Sequence, residues 1–99
     1  MILYNVTVSL DTSIHQDWLD WMKNIHIPEV MNTGYFIDYK MCKVLIEDEI
    51  TYAIQYSCKD MATLNDYQKN CAPELQKQHN QRYEGKFGAF RTLLEIIEF

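Results

Sequence analysis

Residues 2–10, ILYNVTVSL, decide the fold because their side chains alternate between two chemical characters. In a β-strand successive side chains point to opposite faces. One side of this stretch collects the apolar set Ile2, Tyr4, Val6, Val8 and Leu10, and the other side is mainly polar. The pattern predicts a strand with one face on a core and a more polar face opposite.

A helix is predicted to follow this strand. Asp11-Thr12-Ser13 offers N-caps, and apolar side chains then recur at helical spacing at Ile14, Trp18, Trp21, Met22 and Ile25. Pro28 lacks a backbone N–H and disfavours a helical conformation in the residue before it. We expect a helix over 14–25, a kink or restart at 26–28, and an end at Asn32-Thr33-Gly34.

The rest of the chain predicts a hairpin, a second helix and a last strand. Residues 35–46 are rich in β-branched, aromatic and long side chains, alternation returns over 50–58, and Glu47-Asp48-Glu49 connects the two as an acidic turn. Asp60 is a plausible N-cap for a helix that Pro73 restarts. Residues 87–99 alternate again and predict the fourth strand. The order is βαββαβ.

This order over 99 residues predicts a single α+β domain, residues 1–99, of the ferredoxin-like type. Such a domain has a four-stranded antiparallel sheet with two helices on one face. One layer of helices would leave the other face near water, and we expect that face to carry Leu3, Ala53, Phe87 and Leu93. A second copy could cover it. We therefore expect a homodimer whose sheets face each other, a dimeric α/β barrel enclosing a cavity.

Charge and cysteine usage exclude several classes of protein. Nine Lys and Arg face fourteen Asp and Glu, giving a net charge of -5, and the basic residues form no stripe that could follow phosphates. We expect no nucleic-acid partner. Neither a signal peptide nor an apolar run of about 18 residues is present, so we expect no membrane association. Cys42, Cys58 and Cys71 lack a Cys-x-x-Cys spacing, which indicates reduced thiols in the cytoplasm and no metal site.

Polar residues on the face opposite the helices are the first candidate site. We expect five side chains to project into the space between the sheets: Asn5, Thr7, Gln55, Arg91 and Glu95. Buried amides and charges cost several kcal/mol unless partnered, so the cluster is either a self-satisfied network, with an Arg91–Glu95 ion pair, or a ligand cavity. In a ligand cavity, the bidentate fork of Arg91 would suit a carboxylate or another planar anion.

The histidines and tryptophans have both functional and structural interpretations. His79 lies on the side of the second predicted helix that faces the sheet. It is interpreted either as a packed core histidine or as a ligand or general base. His26, close to Pro28, could reach a cavity mouth or cap exposed carbonyls. Trp18 and Trp21 are interpreted as packing residues, and His15 is assigned no role. No Gly-rich phosphate loop, nucleophile elbow, His-Glu-x-x-His or paired-cysteine motif is present.

Several motifs resemble an uncharacterised bacterial family defined as a domain of unknown function. They are Tyr4-Asn5-Val6-Thr7, Trp18-x-x-Trp21-Met22 with His26-Ile27-Pro28, Thr33-Gly34, Tyr52-Ala53-x-Gln55-Tyr56 and Phe90-Arg91-Thr92-Leu93-Leu94-Glu95. The resemblance covers nearly the whole chain. It implies the dimeric α/β-barrel fold, and it carries no established activity.

A weaker similarity is to antibiotic-biosynthesis monooxygenases and haem-degrading enzymes of the same barrel plan. The order Asn5, Tyr67, Pro73-Glu74 and His79 is similar to theirs, with a Tyr where those enzymes usually have Trp and a longer distance to the histidine. The similarity implies that Asn5 and His79 would position substrate or a haem iron.

Three functions therefore stand as expectations. The leading one is a homodimer that uses no cofactor and binds a small anionic or aromatic molecule between its sheets. The second is an enzyme of the cofactor-independent monooxygenase or haem-degrading kind. The third is a structural or protein-interaction module that uses the acidic turn and the first helix.

Overall fold

The four strands form one antiparallel sheet in the order β2-β3-β1-β4. The computed structural model describes residues 1–99. Its strands are β1 Ile2–Leu10, β2 Asp38–Lys43, β3 Ile50–Cys58 and β4 Phe87–Glu95. The predicted ferredoxin-like βαββαβ architecture is confirmed. β2 is shorter than the predicted 35–46 and β4 ends before the predicted Phe99, so the predicted ends of these two strands are wrong.

The first helical segment continues through Pro28 because it widens into a π-helical turn just before that residue. After a 3-10 turn at Thr12–Ile14 come α1 (His15–Trp21), a π-helical turn (Met22–His26) and α2 (Ile27–Asn32). In an α-helix, Pro28 would clash with the carbonyl of Asn24 and offer it no N–H. The π turn relieves this conflict because the N–H of Ile27 bonds five residues back to the carbonyl of Met22.

The second helical segment is broken at Cys71, two residues before Pro73. Its parts are α3 (Met61–Asn70) and α4 (Ala72–Arg82). Asp60 is the N-cap of α3, as predicted, and its Oδ1 accepts from the N–H and hydroxyl of Thr63 at 2.8 and 2.7 Å. Each helix of the chain is too short or too polar to span a bilayer.

The core lies between these helices and one face of the sheet. Its most completely buried side chains come from both layers and are Trp18, Ile54, Leu64, Val8, Val30 and Cys58. β1 and β3, the two central strands, contribute the apolar set predicted from their alternation. The helix face of the sheet is therefore the one that carries Tyr4, Val8 and Ile54.

The edge strand β4 is oriented opposite to the prediction. Directly paired residues of antiparallel strands share a face, and Arg91 pairs with Val6 while Glu95 pairs with Ile2. Both charged side chains therefore lie on the helix face, not with Asn5 in a space between sheets.

Phe87 and Leu93, expected on the open face, likewise lie on the helix face, opposite Leu10 and Tyr4. The open face instead receives Phe90 and Leu94 from β4, opposite Thr7 and Leu3. The physical reason is that β4 is an edge strand. The helices leave most of the β4 side chains on the helix face exposed to solvent. Charged residues are therefore accommodated on that face, and apolar residues of β4 point to the open face.

Candidate functional site

A cavity of about 50 Å³ lies between the helices and the sheet. Eleven of its sixteen lining residues are hydrophobic. The other five are His26, Gln76, His79, Asn80 and Arg91. An apolar cavity with a few convergent polar groups is the usual composition of a small-molecule site.

The π turn positions His26 at this cavity. Met22, His26 and Val30 follow one another at intervals of four residues, and all three line it. The His26 ring stacks on Trp21, with ring centroids 4.9 Å apart. Its Nδ1 is buried and has no hydrogen-bond partner in the protein. An orphaned polar atom of this kind costs about 1–3 kcal/mol unless a water or a ligand group supplies the partner.

His79 faces the same cavity from α4 and is held by a buried indole. Trp18 Nε1 donates a hydrogen bond to His79 Nε2 across 2.9 Å. Because Nε2 accepts, the proton of the neutral ring resides on Nδ1. The Phe87 ring contacts His79 edge-on, with centroids 4.5 Å apart, and the His26 ring lies 5.8 Å away. Trp18, interpreted from the sequence as a packing residue, therefore also fixes the tautomer of His79.

Both histidine rings are neutral at pH 7. Burial lowers the pKa of His26 from 6.5 to about 4, with smaller contributions from His79 and the positive charge of Arg91. Burial likewise lowers the pKa of His79 to about 4, assisted by Arg91 and opposed by a hydrogen bond with Asn80. The cavity thus presents two uncharged imidazoles and one nearby cation.

Arg91 stands at the mouth of the cavity. Its Nε donates to the hydroxyl of Tyr4 at 3.0 Å, and the side chain is exposed. The predicted Arg91–Glu95 ion pair is wrong, since the structure's single ion pair joins Arg82 to Asp17 at 3.3 Å. The terminal nitrogens of Arg91 are therefore available to an anion.

The tyrosines of the cavity are hydrogen-bond donors. Burial raises the pKa of Tyr56 and of Tyr67, and the surrounding tyrosine hydroxyls raise both further. Their hydroxyls keep their protons across the physiological range. Both side chains are buried in the core and also line the cavity.

The structure separates the predicted site residues into two groups. His79 and Arg91 both line the cavity, whereas Asn5, Thr7 and Gln55 lie on the opposite face of the sheet. There the side-chain amide of Asn5 donates to Thr7 Oγ1 at 3.0 Å, so these two satisfy each other. Glu95, exposed near the end of β4, belongs to neither group.

Sequence reasoning missed two polar residues and misjudged a third. Gln76 and Asn80 line the cavity with His79, and their spacing on one side of α4 was a usable signal. His26 was expected to reach a cavity mouth or to cap exposed carbonyls, with capping preferred. Its burial follows from the π turn, a local geometry that Pro28 permits and no periodicity reveals.

The residues present do not fit a haem group. Asn5 and His79 lie on opposite sides of the sheet, and His79 Nε2 is already engaged by Trp18. A cavity of about 50 Å³ is also far smaller than a porphyrin. No cluster of three or more His, Cys, Asp or Glu side chains is grouped for a metal ion.

Solved structures share this architecture at very low sequence identity. A dimeric ferredoxin-like protein from an uncultured marine organism superposes with a TM-score of 0.69 at 11% identity, covering 100% of this chain and 98% of that one. For HapK from Hahella chejuensis the TM-score is 0.73 at 9% identity, with 98% and 93% covered. For an antibiotic biosynthesis monooxygenase it is 0.74 at 12% identity, with 99% and 100% covered. These similarities define the class of protein as ferredoxin-like.

Within that class, residues 1–97 match the family model DUF4286, a domain of unknown function. The chain belongs to this family. The resemblance and the fold inferred from the sequence are thereby confirmed. No curated protein matches the chain significantly.

Proposed function

We propose that the protein is a homodimer that binds a small anionic molecule in the cavity between the helices and the sheet of each subunit. The observation that carries this proposal is the buried Nδ1 of His26, which lacks a protein partner beside a cavity. A ligand oxygen or nitrogen would satisfy it. Arg91, at the mouth with its terminal nitrogens free, supplies the preference for an anion.

The ligand site in this proposal is not the one expected from the sequence. The expected cavity lay between two sheets and was lined by Asn5, Thr7, Gln55, Arg91 and Glu95. The register of β4 carries Arg91 to the other side, where it joins His79. On the open face β4 then carries no charged side chain, and in this proposal that face serves as the subunit interface.

The open face supports the homodimer through its exposed apolar side chains. Phe90 is 62% exposed and Leu94 40% exposed, and both point away from the core. Contiguous exposed apolar surface favours association. Similar structures include proteins described as dimeric and ferredoxin-like. The three free cysteines suit a reducing compartment, and the proposal places the protein in the cytoplasm.

Native mass spectrometry of gently purified protein tests this proposal. It reports stoichiometry and retained small molecules together. The proposal expects a dimer with additional mass per subunit, and His26→Phe, which removes the unpartnered nitrogen, should lose that mass. A wild-type protein without additional mass that also binds no anion in titration would contradict it.

The second candidate function is an enzyme that acts without haem. The fold similarity to an antibiotic biosynthesis monooxygenase and the neutral imidazoles beside the cavity favour it. In the neutral tautomer that carries its proton on Nε2, His26 Nδ1 can accept a proton from a bound molecule. Chemical conversion of the retained ligand by wild type and its loss in His26→Phe would favour this function. Recovery of one stoichiometric protein partner would favour the interaction-module alternative.

A further inference from the structure

The cavity does not end at Arg91. An open groove of about 390 Å³ runs along the seam between α3–α4 and β4, and it shares Tyr4, Gln76 and Arg91 with the cavity. Its remaining lining comes from Gln68, Ala72, Pro73 and Leu93. Cavity and groove therefore meet at three residues, with the guanidinium of Arg91 at the junction.

The two spaces differ greatly in size, which limits what can enter each of them. An apolar cavity of roughly 150 Å³ accommodates benzene, and a single water needs about 10–15 Å³. The cavity here, at about 50 Å³, takes a group of a few heavy atoms and not a ring. The body of any larger ligand has to lie in the groove.

The chemistry of the two spaces also differs. The cavity and its mouth offer the unpartnered His26 Nδ1, the Tyr67 hydroxyl and the Arg91 cation, and no Asp or Glu lines either space. These groups suit a small anionic head. The groove instead presents apolar surface from Ala72, Pro73 and Leu93, of which Leu93 is 46% exposed.

We propose that the ligand is a monocarboxylic acid with an apolar tail, whose carboxylate enters the cavity between His26 and Arg91 and whose tail lies in the groove against Leu93. This inference rests on the proposed function and names its ligand class. The carboxylate accepts hydrogen bonds from Arg91 and from His26 in the neutral tautomer that carries its proton on Nδ1, and the tail covers surface that is otherwise exposed to water.

Calorimetric titration of the ligand-free dimer with hexanoate and octanoate, and with hexanamide and 1-hexanol as uncharged controls, tests the proposal. Hexanoate should bind at least tenfold more tightly than hexanamide. Burial of about 0.8 kcal/mol per methylene predicts about fourfold tighter binding for each added carbon of the tail. Arg91→Gln should abolish the preference for acid over amide.

Leu93→Ser should reduce the dependence on tail length while leaving the preference for acid over amide unchanged. Leu45→Ser is the matched control, since Leu45 is 92% exposed outside both spaces. Equal binding of acid and amide, or affinity independent of tail length, would overturn this inference. The proposed function would survive that result if native mass spectrometry still showed another retained molecule, and it would fall if the protein retained and bound nothing.

Discussion

Trp18 Nε1 lies 2.9 Å from His79 Nε2 and donates a buried hydrogen bond to it, joining α1 to α4 beneath the cavity. The bond ties a fully buried core side chain to the chemistry of the site. The indole N–H would be orphaned without the imidazole, and the imidazole could adopt either tautomer without the indole.

Replacing Trp18 by Phe should therefore destabilise the protein and allow the neutral His79 ring to adopt either tautomer. The lost bond leaves His79 Nε2 without its partner. This lowers the free energy of unfolding by about 1–3 kcal/mol, in addition to the packing lost with the smaller Phe ring. Trp21→Phe is the matched control, because Trp21 also packs against His79 and its indole N–H makes no hydrogen bond within the protein. Urea unfolding measures the stability difference and ¹⁵N NMR of the His79 ring reports the tautomer. Equal losses in both variants and an unchanged tautomer would show that the bond is unimportant.

Stability should fall as the pH is lowered from about 6.5 to about 4. The unfolded chain protonates each histidine near 6.5, whereas the folded protein keeps His26 and His79 neutral to about pH 4. The unfolded state then binds more protons, so stability present above 6.5 is lost through this range. The loss is on the order of 3 kcal/mol for each histidine.

Thermal unfolding across this pH range measures the effect. The slope of the unfolding free energy against pH gives the number of protons taken up on unfolding. His26→Phe should lower this number by nearly one. His15→Phe, which removes a histidine outside the cavity, is the control. A wild-type unfolding temperature that stays constant from pH 7 to 4 would contradict the assignment of two neutral buried imidazoles.

His26→Phe should also stabilise the ligand-free protein at pH 7. Phe keeps a ring on Trp21 and removes the unpartnered Nδ1, whose burial costs about 1–3 kcal/mol. His15→Phe should not stabilise, because His15 Nε2 forms a 2.7 Å hydrogen bond with the Tyr52 hydroxyl. Urea unfolding of both variants compares them. A destabilised His26→Phe protein would mean that the nitrogen already has a partner, such as a bound water.

Phe90→Asp should dissociate the proposed dimer and leave each subunit folded. The side chain is 62% exposed in the single chain, so a subunit loses little by the change, while a face-to-face interface would bury two carboxylates. Leu45→Asp, at an exposed loop position, is the control. Light scattering coupled to size exclusion gives the mass of each. Persistence of a Phe90→Asp dimer would place the interface elsewhere.

The sequence was informative where a residue's surroundings are set by its near neighbours. The alternation of Ile2–Leu10 and Ile50–Cys58 predicts two central strands correctly, because their inward face is fully covered by helices. For β4 the same reasoning predicts the wrong face. Its alternation is equally clear, but at a sheet edge the covered face can carry Arg91 and the open face Phe90.

The site was partly predictable for a related reason. Arg91 and His79 could be nominated from residue type and helix stripe, whereas Asn5, nominated from strand alternation and again by the similarity to other barrels, lies on the other side of the sheet. His26 needed knowledge of how the helix accommodates Pro28. The choice between a bend and a π turn depends on packing around Met22 and Val30, which line the cavity together with strand residues distant in sequence.

A crystal structure of gently purified protein tests the central claim most directly, because it shows what lies beside His26 Nδ1. The account predicts a bound molecule with a polar atom within hydrogen-bonding distance of that nitrogen, an anionic group near Arg91, and a remainder that extends along the groove past Leu93. A cavity that stays dry, or is closed by its own side chains after soaking with octanoate, would contradict the account.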